Sequence, residues 1–154
     1  LAHQSLSEQL QDHSVVRRYW ALVHGTISHE FGRIEAPIGR DPHDRQKMTC
    51  TDKNAKDAIT NFKVLERFKD MTLVECRLET GRTHQIRVHM QYIGHPVYGD
   101  PQYGLRRDDT TFGQYLHAKI LGFVHPRTGE DMYFDSELPE FFEEKLNELR
   151  KEME

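Results

Sequence analysis

The hydrophobic pattern changes its period around Gly81, and that change constrains the fold more than any other feature of the chain. Upstream of it, apolar residues alternate. In AITNFKVLERF the residues Ala58, Phe62, Val64 and Phe68 share one face of an extended segment, and in TLVECRLE the set Val74, Cys76 and Leu78 stands opposite Glu75, Arg77 and Glu79. Side chains on a strand point alternately to its two faces, so both stretches predict strands, and Asp70 and Met71 at the break between them predict a hairpin. Downstream the spacing is helical. Ile86, Met90 and Ile93 form one stripe, so residues 84–93 predict a helix, with Thr83 placed to cap its start and Gly94 to end it.

The rest of the chain can be placed around this unit. Residues 2–11 predict a helix with Leu6 and Leu10 one turn apart, and VVRRYWALV predicts a strand that Gly25 ends. Gly32, Pro37, Gly39 and Pro42 punctuate a region of short strands and turns. After the central helix comes a long segment, HPVYGDPQYGLRRDDTTFG, of a length that in compact domains belongs to functional or mobile loops. Strands near 115–124 and 131–135 flank a turn at HPRTGE, and Pro139 opens a terminal helix with Phe142, Leu146, Leu149 and Met153 on one side. The order predicts an α+β fold, a mixed and mostly antiparallel sheet flanked by helices, in one domain of 154 residues.

Composition removes several classes of function. No apolar run approaches the length needed to span a bilayer, so no membrane partner is expected. The polar, amphipathic opening LAHQSLSEQLQ is unlike a signal peptide. Cys50 and Cys76 are too few for a disulfide framework and wrongly spaced for zinc, which points to buried thiols and a reducing, cytoplasmic setting. The net charge of −4 argues against nucleic acid only until its position is considered. Residues 136–154 carry seven acids and three bases, which is the whole imbalance, whereas residues 77–107 hold five arginines against Glu79 and Asp100. A local cationic site on a neutral body can hold a phosphate backbone.

The block LETGRTHQIRVHMQYIGHPVYGDPQYG, residues 78–104, carries the chemistry. A strand, a glycine turn and a helix whose first turns present Arg82, His84, Gln85 and Arg87 aim backbone N–H groups and a positive helix end at an anion. Arginine adds paired donors that suit carboxylate or phosphate. On residue chemistry alone, the same arginines are equally explained as the solvated face of a surface helix. His84 and His89 lie five residues apart, on different faces of a helix and without a third ligand, so no metal is expected.

That block, together with RRYWALVHG and PIGRDPHDRQKM upstream and LHA and HPRTGE downstream, resembles the RluA-type RNA pseudouridine synthases over nearly the whole chain. The resemblance implies an enzyme that cleaves the glycosidic bond of a uridine in RNA, turns the freed uracil and rejoins it through C5, with no metal or organic cofactor expected. The expected partner is RNA, ribosomal RNA of the large subunit in particular, and the full enzyme is expected to be monomeric. By carry-over, Arg87 matches the arginine that pairs with the family's catalytic aspartate, and Tyr19 matches the tyrosine packed against the target base. Arg82, Thr83, His84, Gln85, Arg106 and Arg107 are the expected RNA contacts.

One departure stands out. The family's aspartate lies in an RLD-x-x-T-S-G type motif, and no such motif occurs in this sequence. With Leu1 in place of a methionine, the chain is expected to be the C-terminal portion of a catalytic domain, inactive alone. A non-catalytic RNA-binding module is the alternative, and a metal hydrolase using the histidines is disfavoured by their spacing.

Overall fold

A computed structural model describes residues 16–124 and 127–154. The helix expected over residues 2–11 and the start of the HPRTGE turn lie outside them. Among the described residues there are eight strands: β1 (Val16–His24), β2 (Phe31–Glu35), β3 (Ile38–Arg40), β4 (Met48–Cys50), β5 (Ile59–Arg67), β6 (Met71–Leu78), β7 (Leu116–Val124) and β8 (Asp131–Asp135). Two helices accompany them, α1 (Gln85–Tyr92) and α2 (Glu140–Glu152). Six strands form one sheet in the order β2-β5-β6-β1-β7-β8, and β3 pairs with β4 in a separate hairpin. Every strand pairing is antiparallel among the described residues, in line with the expected mostly antiparallel sheet.

Strand β1 is central because it is apolar on both faces. Ala21, Leu22 and Val23 are all fully buried, and alternation sends Leu22 to one side and its neighbours to the other. Ala21 and Val23 join Val64, Val74, Cys76, Ile86 and Met90 in a core beneath α1. Leu22 joins Leu73, Phe142, Leu146 and Leu149 in a second core beneath α2. The β3–β4 hairpin closes a third, smaller core, where Ile38, Ala58, Val88 and Tyr103 meet Met48 and Cys50.

Two packing expectations need correction. Phe68 does not share a face with Phe62 and Val64. The pairing of β5 with β6 shifts register between Val64 and Glu66, and the extra residue of such a bulge turns the following side chains to the opposite face. Phe68 and Leu65 therefore pack beneath α2, while Phe62 and Val64 remain beneath α1. Met153 does not complete the buried stripe of α2. It follows the last helical turn and is 56% exposed.

The long segment after α1 is tied down. Val97 bridges to Val23, the Tyr98 N–H donates to the Leu22 carbonyl at 2.8 Å, and the Tyr115 N–H donates to the Tyr98 carbonyl at 2.9 Å. The carboxylate of Asp108 meets His24 Nε2 at 2.8 Å and accepts the Gly99 N–H at 3.1 Å. Gly99 adopts φ +77°, and a Cβ there would stand 2.5 Å from the Gly113 carbonyl oxygen, so the crossing of these two loop strands requires glycine.

Candidate functional site

The turn from β6 into α1 is held by Gln85 rather than by Thr83. No side chain caps the first turn, and the residue at its entrance, His84, takes a left-handed backbone at φ 57°, uncommon for a residue other than glycine. Thr83 is exposed and the expectation that it caps the helix is not met. Instead the side-chain oxygen Oε1 of Gln85 accepts the Arg82 N–H at 3.0 Å and the Thr80 hydroxyl at 2.7 Å. Its amide nitrogen donates to the Ile59 carbonyl at 3.0 Å and to Thr60 Oγ1 at 2.9 Å. Gln85 is buried with its amide spent inside the protein, and it locks the turn onto β5.

Behind it, the network fixes a tautomer. Thr60 Oγ1 lies 2.8 Å from His89 Nδ1, and His89 Nε2 lies 2.9 Å from the Ala36 carbonyl. A carbonyl only accepts, so Nε2 carries the proton and Nδ1 receives the threonine hydroxyl. Burial lowers the His89 pKa against the opposing Ala36 hydrogen bond. Both ring nitrogens are spent in this fully buried side chain.

Arg87 is the centre of the second network. Its Nε donates to Asp100 Oδ2 at 2.7 Å, and its Nη2 donates to Asp100 Oδ1 at 2.9 Å and to Gln102 Oε1 at 2.8 Å. The same carboxylate accepts the Gln102 and Tyr103 N–H groups at 2.9 and 3.0 Å. Burial by itself raises the Asp100 pKa, but the Arg87 hydrogen bonds, the two N–H groups and the Arg87 charge together hold it below the usual carboxylate range. Asp100 thus performs the turn role expected from its Gly-Asp-Pro setting and is also the counter-ion of Arg87. Paired and side-on geometry of this kind fixes the guanidinium plane. Nη1 makes no hydrogen bond among the described residues.

Tyr103 links this pair to the helix entrance. The Arg87 Cζ lies 5.0 Å from the Tyr103 ring centroid. The Tyr103 oxygen accepts the Met48 N–H at 2.8 Å and lies 2.7 Å from His84 Nδ1. The tyrosine hydroxyl can serve His84 Nδ1 as donor or as acceptor while it accepts the Met48 N–H. Burial first, and the Arg87 charge second, lower the His84 pKa against the opposing Asp100 charge, which favours the neutral ring.

The expected site residues therefore divide. Arg82, Thr83, His84, Gln85 and Arg87 are brought together at the entrance of α1. Arg106 and Arg107 are exposed in the following loop, where Arg106 borders an open groove of about 630 Å³ with Asp100, Gln102 and Lys47. Tyr19 is partly buried on β1 against the core beneath α1, in register with Cys76 of β6 and Ala118 of β7. Asp100 as the arginine's partner and Tyr103 as its support are not apparent from spacing, because they come from the loop rather than the helix. No group of His, Cys, Asp and Glu able to hold a metal occurs among the described residues.

Comparison with known proteins is consistent in one direction. Residues 1–92 match the family described as RNA pseudouridylate synthase. An uncharacterized RNA pseudouridine synthase of Bacillus subtilis, YlyB, is 60% identical over 98% of this chain and 50% of its own length. The ribosomal large subunit pseudouridine synthase D of Pseudomonas aeruginosa is 46% identical over 99% of this chain and 51% of its own. The structure of human RNA pseudouridylate synthase domain containing 1 superposes with a TM-score of 0.77 at 28% identity, over 96% of this chain and 70% of that one. The chain spans about half the length of the curated relatives it matches.

Proposed function

The chain belongs to the RNA pseudouridylate synthase family, and from that premise we propose that it forms the substrate-facing part of an enzyme converting uridine to pseudouridine in large-subunit ribosomal RNA. In that reaction the N1–C1′ bond breaks, uracil turns, and a C5–C1′ bond forms. N1 gains a proton and C5 loses one, so the exchange balances without an oxidant or a cofactor.

The observation that carries the reading is the state of Arg87. It is 8% exposed, clamped by Asp100 and Gln102, yet Nη1 is unspent among the described residues. A fixed guanidinium with one free edge is suited to orient and keep ionised a second carboxylate, the nucleophile that the family resemblance requires. Asp100 itself is unsuited to attack, since its side chain is fully buried and its oxygens accept four donor groups. Asp108 is also buried and faces His24. Tyr19 offers a ring for the extruded uracil. Arg82 and His84 line the helix entrance as polar groups for RNA, with Thr83, Arg106 and Arg107 as exposed contacts, and Gln85 serves by holding the turn.

The test is tritium release from RNA carrying 5-³H-uridine, measured with the full-length protein that contains this chain. Release is expected, and Tyr19→Phe, which keeps the ring, retains far more of it than Tyr19→Leu. RNA binding without any release from the full-length protein would replace this reading with that of a non-catalytic RNA-binding module.

A further inference from the structure

We infer that a second cationic tract, formed by Arg17, Arg40, Lys56 and Arg82 around the Gly81 turn, holds consecutive phosphates of the RNA strand that leads to Tyr19. The inference rests on the RNA-directed reading above and extends it from Arg82 to Arg17, Arg40 and Lys56, which that reading does not use.

Two independent observations meet at Gly81. The first is a groove of about 350 Å³ between the β3–β4 hairpin, the loop before β5 and the turn into α1. Arg40, Lys56 and Arg82 line it, with Asn54 and Thr83 as neutral polar neighbours and no carboxylate in its walls among the described residues. The side chains of Arg40 and Arg82 are anchored by backbone carbonyls, those of Arg45 and Asp57, rather than by acids. Cations oriented by neutral acceptors keep their full charge for an incoming anion, and a concave cationic site favours phosphate over scattered surface lysines.

The second observation is Arg17. It lies two residues before Tyr19 on β1 and reaches the Gly81 turn, where a Cβ in place of the glycine hydrogen would collide with its Nη1. Its Nε is buried without a hydrogen-bond partner, and its guanidinium makes no ion pair among the described residues. Burial lowers its pKa, countered only by Tyr19. A partly desolvated cation with no counter-ion is costly to the fold, and buried polar atoms without partners call for a reason. A phosphate arriving beside Tyr19 supplies the missing acceptor. Gly81 is exposed and lines the groove, and its missing side chain makes the room that the Arg17 guanidinium occupies.

Asp57, whose carbonyl anchors Arg82, borders the tract, and two other nearby acids are engaged away from it. Glu79, at the end of β6, accepts from Arg33 and from Asn61. Glu75 faces Arg18 and the Trp20 indole N–H.

The experiment measures binding of a fluorescent single-stranded RNA to the full-length protein by anisotropy, across a range of salt. Each phosphate contact on single-stranded nucleic acid contributes about 0.7 to the slope of log K against log salt. Arg40→Ala with Lys56→Ala should therefore flatten the slope by about 1.4 and weaken binding about 25-fold at 0.1 M salt. Lys151→Ala, on exposed α2, serves as the control and should leave both unchanged. Arg17→Met should weaken RNA binding while leaving the melting temperature equal or higher, since it removes a charge that the protein alone leaves uncompensated. A merely structural arginine would do the reverse. If the wild-type protein binds RNA and the paired variant binds it with the same affinity and slope, the tract is wrong and the functional reading stands. If Arg17→Met lowers the melting temperature and spares RNA affinity, Arg17 has no such role. Failure of the wild-type protein to bind RNA at all would overturn the tract and the functional reading together.

Discussion

At the scale of single residues, the site is built from polar groups that each have one arrangement available. Asp100 is the clearest case. Replacing it with Asn removes the charge that balances a buried guanidinium, and breaking one side of a buried ion pair costs about 3–5 kcal/mol. Asp100→Asn is expected to lower the unfolding midpoint in urea accordingly; a change below about 1 kcal/mol would mean that Arg87 finds another acceptor. His89 makes a pH-dependent contribution of definite sign. Its pKa is lowered from 6.5 in the folded chain, so the unfolded chain binds the proton more readily, and stability present above pH 6.5 is lost as pH falls through and below that value. The melting temperature should decline between pH 7 and 5, and His89→Gln should show a shallower decline from a lower starting point. An unchanged decline would assign the acid sensitivity to another group. The residues of this scale that the sequence pointed to were those on the helix entrance. Arg87 was marked as a site residue by its motif, but its partner was hidden, because Asp100 lies 13 residues away in a loop and no periodicity connects the two.

At the scale of elements, periodicity was informative where one face is buried and failed where the backbone departs from regular geometry. Strands β5, β6 and β7 and both helices lie within a residue or two of their expected positions. The β5 bulge was not visible, since LER contains nothing that distinguishes an extra residue from an ordinary alternation. The missing Thr83 cap has a similar cause. His84 occupies the left-handed entrance to α1, and Gln85, one residue inside, ties the turn through its side chain. The long segment after α1 behaves as a structural element in its own right, crossing itself at Gly99. Gly99→Ala introduces a Cβ 2.5 Å from the Gly113 carbonyl at φ +77°, and strain of this type costs about 1–3 kcal/mol. Its expected effect is a lower melting temperature with faster proteolysis in the segment 95–113; an unaltered protease pattern would show that the loop crossing is adaptable.

At the scale of the whole molecule, the sheet separates two jobs. Beneath α2 it buries Leu22, Phe142, Leu146 and Leu149. Beneath α1 it presents Tyr19 at the border of the core and carries the turn that sets Arg82, His84 and Arg87 at one end. The antiparallel architecture followed from the alternating segments, whereas the order of strands, with β1 between β6 and β7, required the three-dimensional structure, because a run apolar on both faces marks a central strand without naming its neighbours. The account depends most on Arg87 acting on chemistry rather than only on folding. The direct measurement is tritium release from 5-³H-uridine RNA by full-length protein carrying Arg87→Ala, alongside its RNA affinity and melting temperature. Loss of release by about a thousandfold or more, the scale on which a preorganised charged group in an active site acts, in protein that still melts cooperatively and binds RNA, is the predicted result. Normal release from that folded variant would contradict the account.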